Sequence, residues 1–149
     1  MMRFRRQPRL ATYTTVTEWK SGHMGEVRLS NGPVLPFSAP ADVKGVEGVL
    51  TPEDAFVAAL NTCYMLMFIW SVERLKIDLV SYTCEAEGHV EEFLDRTSIF
   101  DRVTLRPRIV ARGCSEERVH RALELAEKYS LVWQSIKAKV SLEPEIVIN

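Results

Sequence analysis

Thr51-Pro52-Glu53-Asp54-Ala55-Phe56-Val57-Ala58-Ala59-Leu60-Asn61-Thr62-Cys63-Tyr64-Met65-Leu66-Met67-Phe68-Ile69-Trp70 is the stretch on which the fold turns. Thr51 suits a helix cap, Pro52 suits the first helical position, and Glu53 and Asp54 favour the positive end of a helix. Between Ala55 and Trp70 the clearly polar residues are Asn61 and Thr62. A helix apolar on every side must be covered on every side. The pattern predicts a helix to about Lys76, with a break near Asn61-Thr62. Its clean apolar run is shorter than the roughly 20 residues a bilayer requires, and a polar pair interrupts it. The sequence therefore predicts a buried central helix and no membrane association.

Strand patterns lie on both sides of this helix. Residues 11–20 are β-branched and aromatic, and residues 24–30 and 33–38 flank Asn31-Gly32, a strong hairpin signal that Pro33 shortens on one arm. Residues 39–50, with Pro40, Gly45 and Gly48, read as a loop. After the helix, residues 77–91 and 98–111 form two long strands. Gly113-Cys114-Ser115 is a turn and cap, and residues 116–129 form an amphipathic helix with Val119, Ala122, Leu123 and Ala126 on its apolar stripe. Residues 138–148 alternate as a last strand. The result is an α+β chain of order βββ-α-ββ-α-β. Two small sheets cannot easily wrap a helix that is apolar all round, which predicts a homodimer with the helix near the interface.

The bulk numbers fit one domain over residues 1–149. Hydrophobic residues make up 46% and charged residues 26%, and the net charge is -1. That balance excludes a general nucleic-acid binder. Residues 1–10 carry four Arg and no apolar run, which reads as a flexible basic tail and not a signal peptide. Cys63, Cys84 and Cys114 are few and widely spaced, the usage of free thiols in a reducing compartment, so a cytoplasmic protein is expected. No cysteine or histidine spacing suggests a metal, and no cofactor motif is present.

Several polar groups have a plain structural reading. Arg102, Arg106 and Arg108 share a strand face and read as a charge ladder opposite Glu85 and Glu87 rather than a nucleic-acid stripe. Glu116, His120 and Glu124 read as a solvated helix face. His89 is near a strand end, with no nucleophile beside it in sequence. Cys84 reads as core filler. Cys114 sits in a turn beside Arg112. Cys63, taken alone, reads as a small buried hydrophobe, since reactivity needs a nearby cation that its own helix does not supply.

The run Thr51 to Cys63 resembles the signature of the OsmC/Ohr family, in which a Thr or Asn, a Pro and a Glu open the central helix and the reactive cysteine follows the Glu by ten residues. The Glu53–Cys63 interval, the element order, the preceding glycine loop and Ala126-Glu127-Lys128 agree, so the similarity covers nearly the whole chain. The resemblance implies an intertwined homodimer that reduces organic hydroperoxides with two cysteines. It also implies an N-terminal arginine, held by the helix-start Glu, that activates the first thiol. Two positions depart from it. Where the family usually has Cys-Pro, this chain has Ser130-Leu131, and a serine cannot form the resolving disulfide. The arginine is not evident, and His23, Arg28 and Lys44 are the candidates for it. The leading expectation is a one-cysteine hydroperoxide reductase for oxidative-stress defence. Cys63 is the nucleophile, Glu53 orients a cation, Ser130 is accessory, and an external thiol is the reductant. The alternatives are a degenerate member that binds a small apolar ligand at the dimer interface, and a stress-related scaffold without a ligand.

Overall fold

The computed structural model describes residues 8–149, so most of the basic tail, residues 1–7, lies outside the described part. Residues 8–10 are exposed and carry no regular structure. The sequence predicts one domain; the structure groups the chain into two compact units, one ending at Glu53 and one from Asp54 to Asn149. The physical basis is strand pairing, because each unit has a sheet of its own and no strand is shared.

The N-terminal unit is a three-stranded antiparallel meander, β1 (Thr15–Ser21), β2 (Met24–Leu29) and β3 (Val34–Ser38). The Asn31-Gly32 signal is used as a turn: Gly32 takes φ 112, and its N–H donates to Leu29 O at 2.9 Å. A 3-10 turn at Ala41–Val43 follows, and Phe37 bridges to Leu50.

The central helix, α1, runs unbroken from Pro52 to Arg74. The expected break at Asn61-Thr62 is absent because both side chains find partners outside the helical ladder's N–H groups. Thr62 Oγ1 donates back to Ala58 O at 2.7 Å, and Asn61 Nδ2 donates to Cys84 O at 3.2 Å. The helix ends two residues before the expected Lys76. Lys76 adopts φ 54, Lys76 N–H reaches Glu73 O and Ile77 N–H reaches Val72 O, the two bonds of a Schellman motif.

Two 15-residue strands, β4 (Asp78–Glu92) and β5 (Ser98–Arg112), form a long antiparallel hairpin. Helices α2 (Glu116–Tyr129) and α3 (Leu131–Ser135) cross back, and β6 (Lys139–Leu142) and β7 (Glu145–Ile148) then pair parallel to β5. The predicted last strand is thus two short ones, yet Arg102↔Lys139 and Arg108↔Glu145 continue a single register. In that register Pro144 falls opposite Pro107. Pro107 has no N–H to donate toward the last strand, so the ladder is interrupted there.

The core is one layer of helix on one layer of sheet. Val103, Leu105, Ile109 and Ala111 of β5 are buried, as are Val119, Ala122, Leu123 and Ala126 of α2. From α1, Leu60, Tyr64, Phe68, Ser71 and Val72 join them. By length and composition alone α1 could cross a membrane, but this stripe is packed inside the protein. The opposite side is less covered than the sequence predicts: Met65 is 37% exposed, Leu66 57% and Trp70 40%. Within the C-terminal unit, the second sheet and α2 wall one side of the helix.

The outer face of the second sheet carries the predicted ladder, with Arg106 at its centre. Its guanidinium donates to Glu143, Glu85 and Glu87 at 3.0, 3.0 and 3.1 Å. Arg108 pairs with Glu145 on β7 rather than with the acids of β4. The Arg106 guanidinium beside Glu87 holds that carboxyl below its ordinary value.

Candidate functional site

Cys63 lies at the edge of the buried stripe of α1 and is half-buried. Successive residues turn by about 100° around a helix, so Cys63 sits beside the stripe while Asn61 and Met65 flank its other edge. What faces Cys63 is the junction of α2 and α3. Ser130 closes α2 and caps α3, and its side chain is fully buried. The Ser130 hydroxyl donates to Cys63 Sγ at 3.3 Å, and its oxygen accepts from Trp133 N–H at 3.4 Å.

Aromatic contacts fix this junction on the helix. Tyr129 meets Trp70 edge-on with ring centroids 5.5 Å apart, and Trp133 lies 5.6 Å from the ring of Tyr64. Arg74 lies over Trp70 at 5.3 Å. Adjacent residues Tyr129 and Ser130 therefore touch α1 at Trp70 and Cys63, two helical turns apart. Tyr64 in turn is buried with its hydroxyl donating to Leu123 O at 3.2 Å, and burial pushes that hydroxyl's pKa upward. The sulfur's contact with Ser130 is thus framed by two aromatic pairs that join α1 to the α2–α3 junction.

The remaining candidates lie elsewhere. Glu53 is exposed in the first turn of α1, about 15 Å of helix axis before Cys63. His23 is exposed at the turn between β1 and β2. Arg28 is exposed on β2, where it lines a concavity of about 310 Å³ with Val16, Glu18, Glu26 and Val34. Lys44 follows the 3-10 turn with φ 65. These three cations belong to the N-terminal unit. The structure brings Cys63 and Ser130 into contact, and within the C-terminal unit it adds Trp133, Tyr129 and Trp70 around them. Sequence reasoning missed Trp133 because its five-residue helix is too short for a periodic pattern, and missed the Trp70–Tyr129 contact because it joins two helices far apart in sequence. The one available signal was Ser130 three residues before Trp133, the spacing of a capping serine.

The other thiols differ from Cys63. Cys84 lies across α1, beside a pocket of about 140 Å³ lined by Asn61, Thr62, Met65, Tyr82 and Thr83. Burial pushes its thiol pKa up. Cys114 is half-buried and packs against the core. His89 Nε2 lies 2.6 Å from Glu87 Oε1. Glu116, His120 and Glu124 are exposed on α2, with Glu124 reaching Arg121 at 3.4 Å. Among the described residues no group of three or more His, Cys, Asp or Glu is arranged to hold a metal ion.

The model of the OsmC-like protein family matches residues 45–145 of this sequence. The chain belongs to that family. Its fold is shared with an OsmC-like protein of unknown function from Vibrio cholerae at 24% identity and TM-score 0.82, over 91% of this chain and 99% of that one. An organic hydroperoxide resistance protein from Elizabethkingia anophelis superposes with TM-score 0.74 at 18% identity, over 96% and 100% of the two chains. Another hydroperoxide resistance protein, from Legionella pneumophila, gives TM-score 0.70 at 16% identity, over 94% and 99%. No curated protein matches in sequence. These structural matches establish the OsmC-like fold of the chain. They leave its chemistry to its own residues, of which the Cys63–Ser130 pair is the most telling.

Proposed function

We propose that this OsmC-like protein reduces organic hydroperoxides with a single cysteine, Cys63, as part of a peroxide-stress defence. In the first step the Cys63 thiolate attacks the terminal oxygen of R–O–OH. An S–O bond forms, the O–O bond breaks, and the alkoxide leaves as ROH after taking a proton. Cys63 becomes a sulfenic acid. A first external thiol condenses with it to a mixed disulfide and releases water. A second external thiol attacks that disulfide, freeing Cys63 and leaving as the oxidised pair.

The observation that carries the reading is the Cys63–Ser130 contact. A half-buried thiol on the central helix meets a hydroxyl where the resembled family has its second thiol, so oxidation at Cys63 has no neighbouring sulfur to resolve it. Glu53 takes the part of orienting a cation drawn from His23, Arg28 or Lys44. The partly bare side of α1, with Met65, Leu66 and Trp70, supports a homodimer in which a second copy covers it. The compartment we assign is the cytoplasm, from the free thiols. The functions named for the Elizabethkingia anophelis and Legionella pneumophila relatives agree with this assignment.

A second reading has an observation of its own. Loss of the second thiol at Ser130 and the exposed apolar residues of α1 suit a member that binds a small apolar molecule at the dimer interface without turnover. Intact mass after a mild dose of cumene hydroperoxide separates the two, with Cys63→Ser as control. Gain of one oxygen that maps to Cys63 and disappears on adding a small thiol is the expected result. A protein that keeps its mass while remaining folded favours the binding role.

A further inference from the structure

Ser130 is more than the site of an absent thiol. It is fully buried, and a buried hydroxyl without partners is costly. Both of its partners have assigned roles. Its oxygen takes the Trp133 N–H, which caps α3, and its hydrogen points to Cys63 Sγ. A hydroxyl has one hydrogen and two lone pairs. With one lone pair committed to the amide, the hydrogen is turned toward the sulfur. The cap is fixed in turn by Trp133 packing on Tyr64, the residue after Cys63. The sulfur, the hydroxyl and the amide form one chain of contacts closed through buried Tyr64 and half-buried Trp133.

We infer that Ser130 is a positioning residue for Cys63: it holds the sulfur at the α1–α3 seam and presents it with a preset hydrogen-bond donor. Such a donor favours sulfur when it carries negative charge, since hydrogen bonds to charged groups are the stronger ones. It also keeps the Cys63 side chain in one orientation, toward Ser130. The inference rests on Cys63 as the reacting group, but it does not depend on peroxide as the substrate.

The test uses the full-length chain and three variants at Ser130. Ser130→Ala removes the donor and the cap. Ser130→Gly removes the donor but keeps most of the capping preference, because glycine caps nearly as well as serine. Ser130→Thr keeps both. Reaction of Cys63 with iodoacetamide is followed by peptide mass mapping at one neutral pH, and circular dichroism establishes that each variant is folded. The Ala and Gly variants are expected to react about tenfold more slowly at Cys63, the factor that corresponds to roughly 1.4 kcal/mol. The Thr variant is expected to react within about threefold of the parent, a margin of roughly 0.7 kcal/mol. A Gly variant as fast as the parent overturns the inference, because the hydroxyl then acts only as a helix cap. A Thr variant as slow as Ala also overturns it, because packing and not the donor is then decisive. If Ala does not fold, Gly and Thr still decide. The same proteins treated with cumene hydroperoxide keep the two conclusions apart. The alkylation pattern without any peroxide oxidation of Cys63 leaves the positioning role standing and removes the peroxidase reading.

Discussion

Replacing Ser130 by cysteine should restore the missing half of a disulfide. Ser130 Oγ lies 3.3 Å from Cys63 Sγ, and a disulfide needs about 2.05 Å between sulfurs. The two side chains must therefore approach by about 1.2 Å, which small rotations at both ends can share. The bond would close a loop of 67 residues between the two positions. Loop-closure entropy for that length gives about 4 kcal/mol of stabilisation. Losing the serine cap of α3 subtracts about 1 kcal/mol. The net of about 3 kcal/mol corresponds to roughly a 10 °C rise in the unfolding midpoint at this chain length. The assay is non-reducing peptide mapping of Ser130→Cys after mild cumene hydroperoxide, with calorimetry before and after dithiothreitol. A crosslink between positions 63 and 130 and a midpoint that falls on reduction are the expected results. A folded variant whose Cys63 oxidises but forms no crosslink would refute the reasoning, because the two side chains would then not be neighbours.

Three other outcomes follow from the same geometry. Cys63 should take up peroxide oxygen before Cys84, since burial pushes the Cys84 thiol pKa up and the thiolate is the reactive form; time-resolved peptide mapping that finds Cys84 oxidised first contradicts the site. Gly88→Ala should destabilise by about 1–3 kcal/mol in urea, because its new methyl would stand 2.7 Å from Val57 Cγ2 and 2.9 Å from the Phe100 ring. Adding Val57→Ala should recover part of that loss, and an unchanged midpoint in Gly88→Ala would show that α1 does not press on β4 there. Leu66→Asp should break the proposed dimer, since Leu66 is the most exposed apolar residue of α1; light scattering that shows the parent chain to be a stable monomer at micromolar concentration ends the dimer proposal.

The fold was legible wherever one period ran long enough. The 3.6-residue stripe of Val119, Ala122, Leu123 and Ala126 came out buried, as did Val103, Leu105, Ile109 and Ala111 of the strand face read as Ile99, Val103, Leu105, Ile109 and Ala111, whereas Ile99 near the strand's start is 43% exposed. What stayed hidden was tertiary. Asn61 and Thr62 read as a break because a sequence cannot show that Cys84 O and Ala58 O are waiting for them. The last strand read as continuous because Pro144 means little until Pro107 stands across from it. At the site, the resemblance and the Glu53–Cys63 interval singled out Cys63 and Ser130. Their contact depends on α3, which is too short to announce itself. The pairing of Arg108 with Glu145 depends likewise on β7 lying along β5, a long-range event with no local trace.

The facing pair Pro107 and Pro144 divides the parallel edge of the second sheet into two separately bonded segments. β6 and β7 pair with separate segments of β5 on either side of Pro107, so β7 can part from β5 without loss of the β6 bonds. The amides of Glu145–Ile148 and those of Lys139–Leu142 should therefore exchange with solvent deuterium as two separate groups. An exchange pattern of that kind would mark the Pro107–Pro144 level as the point at which the parallel edge divides.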